Sequence, residues 1–262
     1  MKYIILCCLS ISLSCHRNAI TGRKQLTVFP ETTLQNQAVT AYRSFLVKNK
    51  VIIPSSNKDA EMVQRVGARI QLAISSYYAK KGLSKELEGY QWEFNLVNSS
   101  EVNAWCMPGG KVVVYTGLLQ VTQNENALAV VLGHEITHAV AHHGNERMSQ
   151  AAIAQGLEIA GNIFTQNKET ANRMFNDIFA PGAQITFLLP NSRKQEYEAD
   201  HFGLIFAAIA GYDPRDAIPF WKRMSSSGGP KPPEFLATHP SDANRINELQ
   251  RFLPEALTYY NK

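Results

Sequence analysis

His134-Glu135-Ile136-Thr137-His138, with the run Ala127-Leu128-Ala129-Val130-Val131-Leu132-Gly133 before it, is the stretch on which the rest of this 262-residue chain turns. Ala127, Leu128, Val131 and Leu132 recur at helical spacing, so the run reads as a helix. The two histidines, four apart, then lie on one face of it, and both imidazoles can reach a single ion. Glu135 is turned about 100° from His134, close enough to take a proton from water beside that ion without ligating it. By composition alone H-E-x-x-H arises on the order of once in a hundred chains of this length. A helix without function also gains nothing from three polar groups on an apolar face. The pattern points to a zinc hydrolase, in which the metal lowers the pKa of water to about 7 and makes a nucleophile available at neutral pH.

A catalytic zinc takes three protein ligands and keeps a fourth position open. Beyond His134 and His138 the residues offer His142, His143, His201, His239, Glu196, Glu198 and Asp200 as the third. The metzincin spacing, with Gly and a later His, is absent. Glu196-Tyr197-Glu198-Ala199-Asp200 places two carboxylates four apart on a helix. One can bind zinc while the other accepts the N–H of a ligand histidine and fixes its tautomer. A solvated charged face is the competing reading.

Outward from this centre, periodicity predicts helices over 31–49, from Val63 to about Tyr78, from Glu125 through the motif, and over 148–164, 194–210, 214–224 and 242–252. Trp92, Phe94 and Leu96 alternate with polar residues as in a strand. A strand over 103–107, the turn Pro108-Gly109-Gly110 and a strand over 111–115 read as a hairpin. Pro181-Gly182 and Pro190 suggest a long surface loop within 167–190, a lid or binding element in many domains. The expected architecture is α+β, mainly helical, with one small sheet.

Composition excludes several classes. The chain is 45% hydrophobic and 18% charged, a globular balance, and long enough to bury a core without disulfides. A net charge of +4 with no basic run interleaved with aromatics gives no reason to expect a nucleic-acid partner. Of the four cysteines only Cys106 lies outside the first fifteen residues, where it reads as a small buried hydrophobe. Residues 1–14 read as a signal peptide with a lipobox-like end, Ser12-Leu13-Ser14-Cys15. Lipidated Cys15 would be the first residue of a single domain, 15–262, held on a membrane without a spanning helix. That start predicts a bacterial envelope location facing the periplasm, with the outer membrane favoured because His16 follows Cys15.

Six stretches carry a family resemblance: Thr21-Gly22-Arg23-Lys24-Gln25-Leu26, Asn103-Ala104 with Pro108-Gly109-Gly110, Gly133 to His138, Ser192-Arg193-x-x-Glu196-x-Glu198-Ala199-Asp200, Gly211-Tyr212-Asp213-Pro214 and Thr238-His239-Pro240-Ser241. In this order they resemble the membrane-associated gluzincin peptidases, the family of the CaaX prenyl protease, HtpX and BepA, and within it the bacterial lipoprotein branch. The resemblance implies a zincin-like peptidase domain whose edge strand flanks the active-site helix. It implies one zinc held by His134, His138 and Glu196, with Glu135 as base and Asp200 as partner to His134. It also implies that Asn103 and Ala104 pair with an extended substrate peptide, with broad specificity. His239 would stabilise the oxyanion, or in a closed state occupy the open metal position. Glu198 takes a less constrained place, Arg245 a structural ion pair, and His201 a structural role. The substrates implied are unfolded or misassembled envelope proteins. The alternative is a zinc-stabilised chaperone or assembly factor with gated proteolysis.

Overall fold

The computed structural model describes residues 15–154, 168–179, 192–226, 235–236, 239 and 244–260. The signal-peptide reading of 1–14, the end of the helix expected over 148–164, and the part of the expected loop from 180 to 190 lie outside them.

A short hairpin of β1 (Cys15–Arg17) and β2 (Lys24–Leu26) opens the fold. Helix α1 (Glu31–Lys48) starts behind Pro30, whose fixed φ suits the residue before a first turn. After β3 (Val51–Ile52), α2 (Lys58–Lys80) begins where the Asn57 side chain accepts the Ala60 N–H. Its buried face is Val63, Val66, Ile70, Ala73 and Ile74, the spacing that predicts it. Strands β4 (Glu93–Val97), β5 (Ala104–Met107) and β6 (Lys111–Tyr115) complete a sheet of order β3-β4-β6-β5. The expected hairpin is β5–β6, its turn formed by Gly109 and Gly110 at φ 79° and 82°, where a side chain would be strained. Strand β4 pairs parallel to β6, so β6 is central and β5 forms an edge of the sheet.

A short helix not expected, α3 (Thr116–Thr122), precedes the expected α4 (Glu125–Val140), which is capped by Asn124 accepting from the Ala127 N–H. From Ala127 to Val140 every residue of α4 is buried, which makes it the central helix rather than a surface one. Helix α5 (His143–Ala154) starts five residues earlier than the periodicity around Met148 suggests. Helix α6 (Lys168–Phe179) occupies half of the segment expected to hold a surface loop, burying Ala171, Met174 and Phe175. The chain continues with α7 (Ser192–Ile209), α8 (Ala217–Ser226) and α9 (Arg245–Tyr259). Among the described residues no helix is long and apolar enough to cross a membrane.

The contact that positions the site is the crossing of α4 and α7. A Cβ on Gly133 would lie 2.6 Å from the Gly203 carbonyl oxygen, and one on Gly203 would lie 2.8 Å from the His134 nitrogen. The two backbones touch because both residues are glycine. That approach lets side chains from neighbouring turns of the two helices meet.

Candidate metal centre

Helix α4 contributes His134 and His138, α7 contributes Glu196, and the described stretch after α8 contributes His239; all four are buried. Their ligand atoms converge. His134 Nε2 is 3.1 Å from His138 Nε2, 3.2 Å from His239 Nδ1 and 3.4 Å from Glu196 Oε2. Glu196 also lies 3.4 Å from His138 Nε2 and 3.1 Å from His239 Nδ1. Four donors at 2.0–2.1 Å from one tetrahedral ion would be separated by about 3.3 Å. Facing imidazole lone pairs at these distances repel unless a cation or a proton lies between them. Three imidazole nitrogens and a carboxylate are also zinc's usual donors. The four-donor cluster of His134, His138, Glu196 and His239 therefore fits one zinc ion.

Each histidine of α4 is held from behind. His134 Nδ1 is 3.0 Å from Asp200 Oδ1, and Arg245 donates to the same oxygen at 2.7 Å. Arg245 also stacks 3.4 Å over the Trp221 ring and donates to the His239 carbonyl at 3.3 Å. The resemblance implies that Asp200 partners His134, and the two side chains lie 3.0 Å apart. The other arm was not foreseen. His138 Nδ1 is 2.9 Å from His143 Nδ1, and His143 Nε2 is 2.9 Å from Glu198 Oε2. Arg23 then donates from Nε to Glu198 at 2.6 Å and bidentately to Glu146 at 2.6 and 2.7 Å. Burial opposes ionisation of Glu198, but the hydrogen bonds from His143 and Arg23 outweigh it and hold its pKa below the usual carboxylate value. Glu198 is thus tightly held on both sides, contrary to the less constrained place expected for it.

Glu135 points into the same space. It is 3% exposed, and its Oε1, which makes no hydrogen bond among the described residues, lies in ion-pair range of His239 Nε2 at 3.2 Å. Burial raises its pKa to about 7, a value suited to proton transfer near neutral pH. The Phe235 N–H donates to the Val102 carbonyl, two residues before β5, and the His239 N–H donates to the Phe235 carbonyl. Asn103 and Ala104 are buried at the start of edge strand β5, with the Asn103 side chain accepting the Ala104 N–H. Arg147 on α5 is a second residue that sequence reading passed over. It is buried, and among the described residues its Nε and Nη1 meet no acceptor. Cys106, expected to be buried, is only half-buried on β5, although desolvation by its surroundings pushes its thiol pKa well up. His201 sits away from the centre, pairing with Glu255 at 2.7 Å and stacking on Phe252.

Comparison with known proteins supplies the family. The profile of Peptidase family M48 matches residues 63–253. The chain is 37% identical to the mitochondrial metalloendopeptidase OMA1 of Homo sapiens over 250 residues, 91% of this chain and 46% of that protein. It is 37% identical to the Arabidopsis thaliana mitochondrial metalloendopeptidase OMA1 over 181 residues, 68% of this chain and 36% of that protein. A β-barrel assembly-enhancing protease of Yersinia pestis is 31% identical over 165 residues, 61% of this chain and 34% of that protein. The chain spans between 33% and 56% of the length of these and five further relatives.

These matches correct the expected bacterial envelope location. Relatives named as mitochondrial, from plant, fungi and animals, cover up to 91% of this chain, against 61% and 59% for the bacterial proteases. A short basic and apolar start before a cysteine is too small a pattern to separate one targeting route from another. Cys15 itself opens strand β1, opposite Leu26. With its fold, its buried donor cluster and its relatives named as metalloendopeptidases, the chain belongs to peptidase family M48.

Proposed function

We propose that His134, His138 and Glu196 hold the zinc, that Glu135 is the general base, and that the chain cleaves extended segments of unfolded or misassembled proteins. One observation carries the reading: four buried donor atoms meet beside the buried carboxyl of Glu135. When bound, zinc supplies Lewis-acid polarisation and an acidified water. The chain's own residues do the rest. Glu135 takes the proton of the attacking water and delivers it to the leaving amine. Asp200 accepts from His134 Nδ1 and so frees Nε2 for the metal. An extended peptide added along β5 near Asn103 and Ala104 would be gripped by its backbone, which favours unfolded substrates over particular side chains. A relative named for β-barrel assembly enhancement is consistent with misassembled proteins as one substrate class. We treat residues 15–262 as one catalytic domain.

Zinc analysis and casein cleavage test this. The expected result is one zinc per chain, cleavage of unfolded casein, loss of both on treatment with a strong chelator, and recovery on adding zinc. Protein purified without zinc and unable to take it up would overturn the reading.

The position of His239 favours a gated version of the same enzyme. His239 Nδ1 stands among the ligand atoms, and its segment bonds to Val102, immediately before the strand that would receive substrate. His239 thus stands at the donor cluster while Phe235, whose carbonyl accepts the His239 N–H, bonds beside the approach to the edge strand. His239→Ala should raise casein cleavage several-fold with zinc still bound by three ligands. A fall of about 10²-fold or more would instead give His239 the oxyanion-stabilising role. A fully inactive chaperone would show no cleavage in either protein.

A further inference from the structure

The structure assigns a positioning role in the metal centre to Arg23, in the loop of the N-terminal hairpin: acting through Glu198 and His143, it fixes the orientation and tautomer of His138. This rests on the reading above that His138 Nε2 is a zinc ligand.

The direction of every hydrogen bond in the arm follows from its far end. Ionised Glu198 can only accept, so His143 must carry its proton on Nε2, 2.9 Å from Glu198 Oε2. In a neutral His143 ring Nδ1 is then the acceptor, and His138 Nδ1, 2.9 Å away, donates to it. The neutral His138 that results has its lone pair on Nε2, the atom facing His134 and Glu196. The other tautomer would place an N–H where the metal belongs. Arg23 keeps Glu198 in place by sharing one guanidinium between it and Glu146, whose carboxylate also accepts from Gln195 at 2.7 Å. Glu146 and His143 are fully buried, and the Arg23 and Glu198 side chains are each 16% exposed.

A second contact joins the same hairpin to the same ligand. The amides of Asn18 and Gln25 both donate to the Ala141 carbonyl at 2.9 Å, within one turn of His138 at the end of α4. The hairpin thus grips the helix end that carries His138 as well as the back of its ring. A buried ion pair adds little to stability compared with apolar packing of the same volume. Here it ends on a metal ligand's ring nitrogen, which apolar packing could not orient. The hairpin lies before the family match, which begins at residue 63.

The test measures zinc affinity by competition with a chromophoric chelator, on the full chain, beside thermal unfolding of the zinc-free forms. Arg23→Gln and His143→Leu should each weaken zinc binding about 10- to 100-fold, the usual effect of losing an outer-shell partner. The double variant should bind no more weakly than His143→Leu alone, because both changes break one arm. His143→Gln, whose amide can both accept and donate, should recover most of the affinity. That last comparison decides the matter even if Arg23→Gln folds poorly. Unchanged zinc affinity in Arg23→Gln and His143→Leu, or losses that simply add, or a His143→Gln no better than His143→Leu, would overturn the assignment. A wild-type chain that binds no zinc would instead remove the ligand reading on which it rests, and the assignment with it.

Discussion

Glu135→Gln is expected to lower casein cleavage by about 10²- to 10⁴-fold while zinc content stays at the wild-type level. The two side chains have nearly the same shape, so the packed surroundings of a residue 3% exposed need not move. Nor is a hydrogen bond at Oε1 lost, because that atom makes none among the described residues. What disappears is the ability to accept a proton, and with burial holding the carboxyl near pH 7 that ability is suited to neutral conditions. The three proposed ligands are untouched. Cleavage rates under single-turnover conditions, with zinc measured on the same samples, check the result. Retention of a tenth or more of the activity would mean that another group moves the proton. The variant should also retain uncleaved unfolded proteins, which makes it a substrate trap.

The second large effect is expected from Gly203→Ala. The added methyl would sit 2.8 Å from the His134 nitrogen and 3.0 Å from the Gly133 carbonyl carbon, backbone atoms that cannot rotate aside. Helices α4 and α7 must separate, at a cost of about 1–3 kcal/mol as in other overpacked cores. The metal centre amplifies the damage. His134 and His138 stand on one helix and Glu196 on the other, so separating them pulls the donor set apart. Urea denaturation with and without zinc, and a zinc titration, measure both parts. Gly133→Ala should behave alike, since its methyl would meet the Gly203 carbonyl oxygen at 2.6 Å. Unchanged urea midpoints and zinc affinity would show that the crossing can open without cost.

Much of this centre was legible in the sequence because its parts are local. The i, i+4 histidines declare themselves on an apolar helix, and Asn57, Asn124 and the Gly109-Gly110 turn mark where elements begin and reverse. Helix α6 was also readable, since Ala171, Met174, Phe175 and Ile178 follow helical spacing. The prolines at 181 and 190 suggested a loop but lie beyond its end. The parallel pairing of β4 with β6 has no local signature, and strands of two or three residues carry almost none. His143 was hidden for a different reason. Its spacing is wrong for a ligand, and it reaches His138 because His142 adopts φ 55° and turns the chain back between α4 and α5. Left-handed backbone at a non-glycine residue costs roughly 1–2 kcal/mol, and no motif announces it. The pairing of Arg23 with Glu198 spans 175 positions, beyond any spacing rule.

The two arginine arms have a consequence in time. The ligand histidines are braced from opposite ends of the chain, His138 by Arg23 and His134 by Arg245 through Asp200. During synthesis the His-Glu-x-x-His helix leaves the ribosome more than fifty residues before Glu196 and more than a hundred before Arg245. A nascent chain can hold zinc only loosely with the first two histidines, and the full centre must wait for α9. On the proposed ligand set the centre is incomplete until Glu196 has folded beside α4, while extended segments of the chain itself would still be open to attack.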